Sequence, residues 1–423
     1  MSDHNRSSVA ASYWAFVLVG VGAGAGGVLL PAQIADYGVD RTRIGITFFV
    51  FSAGFMLAGS TVGALMHRIG TRNALATGTA VFVLSDLYVA THPTFAGLVI
   101  VQLLLGYGGG VVESVLNTHL ARLPRSAQRV NRLHAFFGVG ALLGPLLATW
   151  MLRSWSWPSV YLVIALLNVP LLVGVLLVFP SAVRPGGGPA VAVAPGPGVQ
   201  PPTAAASASA ADPAQHGRGL LAAALRERAV LLGALFLAVY VGLEVSIGNW
   251  GFSFLVDGRT QSPLIAGYAL SGYWLGLTAG RFVISPVASR AGLSDVAVSF
   301  GCLAGILAAC VLVWAASAAV AAAAGFALLG FFLGPLFPTT MAITPRLAEP
   351  RLVPTAIGFI NGVSVVGGSA LPWLAGTIAQ AAGIMTLIPF CIALTVLLLL
   401  IWWRLARHAP APREASSAGL DYA

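Results

Sequence analysis

The sequence contains no lysine. Its positive charge rests on 22 arginines against 13 acids, and charged residues make up only 8% of the 423 positions. A soluble domain carries about 25% charged residues, so a chain this long and this poor in charge cannot cover its own surface in water. The apolar content of 58% and the mean hydropathy of +0.88 point the same way. Lipid is its natural solvent. The net charge of +9 does not make it a nucleic-acid binder, because the arginines fall between hydrophobic runs rather than along one face.

Cysteine is nearly as scarce. Cys302, Cys310 and Cys391 lie inside apolar runs, with neither metal-ligand spacing nor a disulfide framework, and read as buried, inert thiols. The chain also lacks paired metal ligands, a phosphate-cradling loop, a nucleophile beside a base, and a sizeable soluble domain. These absences exclude a membrane enzyme or sensor and imply no metal and no cofactor. The stretch "GVGAGAGG" at Gly20–Gly27 superficially resembles a dinucleotide fingerprint. It lies inside a hydrophobic span with no strand before it, which removes that reading.

What the sequence has is long hydrophobic runs. A bilayer core takes about 20 mostly apolar residues per helix. That ruler gives twelve spans, beginning near Tyr13, Ile44, Ala74, Phe95, Leu133, Ser159, Ala229, Leu264, Val296, Ala318, Pro354 and Met385. The first run, Tyr13 to Leu30, is too long for a signal-peptide core and has no clear cleavage site. With both termini placed inside, eighteen of the 22 arginines fall at cytoplasmic ends or loops, and only Arg41, Arg43, Arg153 and Arg259 fall outside. Such a bias orients the chain and supports the count, since a missed helix would invert every later loop.

The spans divide six and six. A cytoplasmic tail (1–12) precedes the first half (13–180). A linker rich in Pro, Gly and Ala (181–228) then leads to the second half (229–406) and a cytoplasmic tail (407–423). The linker segment from Ser181 to Gly219 has no periodicity and reads as disordered or extended. The halves look like repeats. "HRIG" at His67 and "SRAG" at Ser289 lie 222 residues apart; "GYGGG" at Gly106 and "GFFLGP" at Gly330 lie 224 apart, as do "GVGALLGPLLA" at Gly138 and "GVSVVGGSALP" at Gly362. The fold expected is an all-α membrane protein of twelve helices in two six-helix pseudo-symmetric halves, an arrangement that puts a substrate site between them at mid-membrane.

Three acids lie within spans. A charge at the centre of a membrane helix costs about 2.5–3.5 kcal/mol on insertion scales, and such groups mark function by default. Asp86 lies near the outer end of the third span, within expected reach of interfacial water. Glu113 shares one face of the fourth span with Gln102, Gly106, Gly109 or Gly110, and Asn117, at steps of three to four residues. Helix packing through glycines explains part of that stripe, but an amide would serve packing at lower cost than a carboxylate. Glu244 stands one turn from Tyr240 in the seventh span, with Asn249 and Trp250 following; Trp250 suits either ring stacking or interfacial anchoring. Counted from the span starts, no arginine falls near mid-span, and His119 and His134 lie toward the cytoplasmic end. A carboxylate without a cation in a dry site favours its proton and gives it up when water enters, which is what proton coupling requires. A cationic substrate would meet the same need.

The twelve spans, the central linker and "GALMHRIGTRN" after the second span resemble the major facilitator superfamily. That family's loop motif reads Gly-x-Leu-x-Asp-Arg-x-Gly-Arg; Gly63, Leu65, Arg68 and Gly70 match, His67 stands at the Asp position, and Arg72 follows Thr71 at the last place. Within the superfamily the chain is similar to the fucose permease and related proton-linked sugar transporters. The pieces are "ESVLN" at Glu113–Asn117, "HAFFGVGALLGP", "YVGLE", "GRF" at Gly280–Phe282 and "FLGPLFPT". The resemblance implies a substrate-linked protonation site at Glu113 and a second acid in the first span, where this chain has Gly27. It leaves open whether Glu113 acts alone, Glu244 substitutes, or the coupling differs. The glycines of the first span also suggest room for a ligand bulkier than a monosaccharide.

The reading is a secondary active transporter of the plasma membrane, monomeric, with a small molecule, protons and the lipid bilayer as its partners. Glu113 and Asn117 form the core of the site, faced by Glu244, Asn249 and Trp250, with Gln33 and Asn361 as further candidates; Gly63, Arg68, Gly70 and Arg72 form the gating loop. Proton-linked transport of a sugar or similar polar molecule is the first expectation. Efflux of a hydrophobic or cationic compound such as an antibiotic is the alternative.

Overall fold

The computed structural model describes residues 3–179, 220–316 and 318–407; the expected linker from Ser181 to Gly219 and nearly all of the C-terminal tail lie outside the described residues. What is described is helical. Helix α1 runs from Asp3 to Tyr37, and a single turn, Arg41–Ile44, follows. The long helix Ile46–Ala90 breaks at Gly70, whose φ of 79° and ψ of 166° only glycine adopts without strain. The break makes two antiparallel arms, α2 (46–69) and α3 (71–90). Next come α4 (Phe95–Ala121), α5 (Ser126–Met151) and α6 (Pro158–Val178). The second half has α7 (Arg228–Ser253, continued by a π turn), α8 (Pro263–Arg290) and α9 (Asp295–Ala315). It ends with α10 in two segments (Ala319–Leu333 and Leu336–Leu347), α11 (Val353–Ala382) and α12 (Leu387–Ala406).

Among the described residues ten helices are long and apolar enough to cross a membrane, one of them the Arg41–Ala90 piece that Gly70 divides. The 28-residue α8 is more polar and brings the spans to twelve. Their starts follow local chemistry. Thr94 caps α4 by accepting from Gly97 N at 3.3 Å; Ser262 caps α8 with Pro263 behind it, and Ser294 caps α9 by accepting from Ala297 N at 3.2 Å. The outer faces carry exposed Leu84, Ile100, Leu177 and Val320, as lipid contact requires. Cys302, Cys310 and Cys391 are buried free thiols.

Lipid is as apolar as leucine, so helices associate here by close packing rather than by escape from water, and small residues mark the contacts. Within the first half α1 packs on α5 and α6, α2 and α3 on α4, and α3 on α6; within the second, α7 packs on α11 and α12, α8 and α9 on α10, and α9 on α12. These are the same contacts shifted by six helices. The repeat holds at atomic level. A Cβ on Gly54, Gly106 or Gly110 would run into the backbone carbonyls of Leu103, Phe51 and Phe55, and one on Gly276, Gly330 or Gly334 into those of Ala327, Tyr273 and Leu277. Each contact of the second set lies 222 residues beyond its counterpart on the α2/α8 side and 224 on the α4/α10 side, the offsets read from the sequence.

The halves meet along α5 and α8, where Gly138 faces Thr278 and Gly267 faces Thr149. They meet again at the end of the bundle away from the chain termini. There Gly27 of α1 abuts Gly248 of α7, and Trp373 of α11 lies on Gly45 and, edge-on at 5.8 Å, on Phe49. Arg41 and Asp257 pair at 3.0 Å, and the Arg41 backbone N–H donates to Gln380 Oε1 at 3.2 Å. Toward the termini α2 and α11 part: a Cβ at Gly59, Gly63, Gly358 or Gly362 would meet nothing within 4 Å. The molecule is closed at the far end and cleft toward its termini.

Candidate functional site

The polar groups of the spans are divided between the two halves. On the first-half side α4 carries half-buried Glu113 and Asn117. Asn117 turns back on its own helix, Nδ2 donating to the Glu113 backbone carbonyl at 3.0 Å. Among the described residues nothing hydrogen-bonds or pairs with the Glu113 carboxylate. The glycines of its stripe do other work. Gly106 and Gly110 let the α2 backbone pass, and Gly108 does the same for α3.

On the second-half side the structure supplies a cation that the sequence-based spans leave out. Arg281 Nη2 stands 3.8 Å from Glu244 Oε1, with the side chains 25% and 16% exposed. A 20-residue span begun at Leu264 ends near Arg281. In the structure α8 continues to Arg290, about 13 Å further at 1.5 Å per residue. Counting from the Ser262–Pro263 start to the Gly292 stop would have put Arg281 inside the helix.

The guanidinium is fixed by a fault in α10. The carbonyl of Gly334 would normally accept from the N–H four residues on, but that residue is Pro338, which has none. Arg281 Nε takes the free carbonyl at 3.3 Å. One residue earlier, the Leu333 carbonyl accepts the Tyr240 hydroxyl at 3.1 Å, one turn from Glu244 on the same helix. The Tyr273 hydroxyl donates to the Glu244 backbone carbonyl at 2.9 Å. Across the half boundary His134 of α5, stacked edge-on against Phe16, lies within electrostatic reach of Arg281.

Of the other candidates, Asn249 and Asn361 are half-buried. Trp250 is fully buried; Nε1 donates to the Pro372 carbonyl at 2.8 Å, Phe48 meets its ring at 6.2 Å and Gly376 lies against it. In this state it is part of the far-end closure rather than a stacking surface. Gln33 is buried and donates to the Tyr161 hydroxyl at 3.3 Å, within the first half. Asp86 does not reach water at the outer end of its helix. It is 2% exposed and its Oδ2 has no partner among the described residues. In the loop motif Gly63 and Arg68 are exposed, Gly70 makes the turn and Arg72 is half-buried.

The glycines of α1 do not hollow out a larger cavity as expected. Gly20 and Gly24 are filled by the α5 backbone at Phe137 and Ala141, and Gly27 by Gly248; only Gly26 opens on empty space, with Phe82 3.9 Å from a Cβ at Gly22.

The family profile described as Major Facilitator Superfamily matches residues 12–258 and 245–420. Bypass of stop codon protein 6 of Saccharomyces cerevisiae is 25% identical over 400 residues, 92% of this chain and 80% of that protein. Glucose/mannose transporter GlcP of Bacillus subtilis is 24% identical over 393 residues, 90% of this chain and 92% of that one. Multidrug resistance protein B homolog of Mycobacterium tuberculosis is 31% identical over 155 residues, only 35% of this chain and 28% of its own length. The solved structure of a bacterial homolog of the human lysosomal transporter Spinster, inward-facing and unoccupied, superposes with a TM-score of 0.73 at 11% identity over 97% of this chain and all of that one.

Proposed function

The chain belongs to the Major Facilitator Superfamily, and on that premise we propose that it carries a sugar or similar small polar molecule across the plasma membrane by alternating access, coupled to protons. It is a multi-pass membrane transporter and not an enzyme. The observation that carries the finer reading is Glu113: a carboxylate inside a membrane span, beside the cleft, with no partner among the described residues. Such a group holds a proton while dry and releases it to water, so rocking the halves about the α5–α8 contact changes its proton affinity with the side it faces. A full-length likeness to a glucose/mannose transporter supports the substrate class. The arginine bias supports cytoplasmic termini, and hence a cleft that faces the cytoplasm. The protein works as a monomer in this reading.

Efflux of a hydrophobic or cationic compound is the second reading. It is favoured by the partial likeness to a multidrug resistance protein and by the same lone carboxylate, which suits a cation. Proteoliposomes with an inward proton gradient separate the two. A sugar-evoked inward current that is lost in Glu113→Gln supports the first. A response confined to organic cations under an opposed gradient supports the second and removes the first.

A further inference from the structure

We propose that Arg281 is the anchor for a carboxylate on the transported molecule, exchanged against Glu244, so that each anion bound brings one proton with it. This rests on the transport reading above and narrows it from neutral sugars to acidic ones, such as sugar acids and small hydroxylated carboxylates.

The geometry carries the argument. A committed arginine–carboxylate pair sits at about 2.7–2.9 Å; Arg281 and Glu244 stand at 3.8 Å, both partly exposed. Only Nε is spent on the protein backbone, at Gly334. That bond holds the guanidinium by Nε and leaves Nη2 toward Glu244. A planar fork held in this way suits two parallel hydrogen bonds to an incoming carboxylate. Position adds to this. Arg281 lies one turn beyond the Leu277–Gly334 contact, and Glu113 one turn beyond its repeat-related counterpart, Phe55–Gly110. The two residues therefore stand at the same level of opposite halves, where a substrate bridging the cleft would lie.

The exchange balances. The incoming carboxylate takes the guanidinium from Glu244. Glu244 then has no cation; Tyr240 stands one turn away on its own helix, the Tyr273 hydroxyl of α8 donates to its backbone carbonyl, and Cys391 of α12 lies within electrostatic reach of Tyr273. His134 of α5, in the other half, lies within electrostatic reach of Arg281. A carboxylate that has lost its cation to a neighbouring bound anion takes a proton from water. One negative charge and one proton enter, and the net charge of the site does not change. Release of the anion returns Arg281 to Glu244 and expels the proton.

The test is calorimetric binding to the purified, full-length protein. The probes are glucuronate and gluconate against glucose and mannitol, each in two buffers of different ionisation enthalpy, so that the buffer dependence counts protons. The acids are expected to bind at least about tenfold more tightly than their neutral counterparts, with one proton taken up per anion. Arg281→Gln loses that preference and Arg281→Lys keeps part of it, which separates lost recognition from misfolding. Glu244→Gln still binds the acids but takes up no proton. Neutral sugars binding as well as acids, with Arg281→Gln indifferent, overturns the proposal and leaves the sugar reading standing. Failure of every probe to bind the folded protein overturns both.

Discussion

Gly27 of α1 and Gly248 of α7 touch backbone to backbone across the line where the two halves meet. A Cβ on Gly27 would overlap the Gly248 carbonyl oxygen and crowd Asn249. The resembled sugar transporters place an acid here, and this chain has no room for one while its far end is closed. Gly27→Ala is therefore expected to fold but to weaken that closure. A Thr47→Cys reporter, buried near that end, should react faster with a membrane-impermeant thiol reagent in the Gly27→Ala background, against native cysteines that are all buried. Equal rates would show that the contact contributes nothing to closure.

Glu113→Gln keeps the shape of the site and removes its proton. Accumulation of a neutral sugar driven by a pH gradient should fall to background, while exchange of that sugar across equal concentrations survives. The variant should be as stable as the parent or more so, because an amide is cheaper than a carboxylate within a span. Loss of exchange together with accumulation would make Glu113 a binding group only.

Pro338→Ala restores the N–H that the Gly334 carbonyl lacks, a hydrogen bond worth about 1 kcal/mol. The variant is expected to unfold at higher temperature and to transport more slowly, since Arg281 must then compete for its anchor. A stabilised variant with full activity would show that the Arg281–Gly334 bond at 3.3 Å is incidental.

The Arg41–Asp257 pair, 24% and 40% exposed, lies at the closed end. Exposed pairs contribute about 0–1 kcal/mol, so Asp257→Asn should shift the balance between the two states by no more than about fivefold. Exchanging the two charges should largely undo the shift, as read by the same thiol-labelling rate. A complete block of transport would mean that Asp257 has another task.

Trp250→Phe gives up one hydrogen bond, to the Pro372 carbonyl, at a cost of about 1 kcal/mol. Trp250→Ala also empties the space between Phe48 and Gly376, for about 3–5 kcal/mol. Thermal unfolding should rank them in that order. Substrate affinity measured from the open side should be unchanged in Trp250→Phe.

The architecture was readable because a bilayer admits few solutions. Span length, arginine bias and the offsets of 222 and 224 residues each correspond to something physical, and the offsets reappear as paired glycine–carbonyl contacts between α2 and α4 and between α8 and α10. The site was readable only residue by residue. Glu113 announces itself, because a carboxylate in a span needs a reason. Arg281 was hidden by a helix longer than the bilayer ruler, and its anchor by a proline whose effect is felt four residues earlier. Trp250 and the glycines of α1 depend on which helix lies opposite, and hydrophobic runs do not encode neighbours. Asp86 misled for the same reason: nearness to a helix end does not say whether water reaches it.

The duplicated halves have not kept the same face. Glu113 corresponds in the repeat to Phe337, and Arg281 to Gly59. A strictly two-fold cleft would present identical walls and could not tell the head of a molecule from its tail. Here one wall has kept an acid and the other a base, so a molecule lying between them has a preferred heading, as a needle has in a field. Ancestral symmetry supplied the motion, and its loss at these two positions supplied the means to read a ligand's direction.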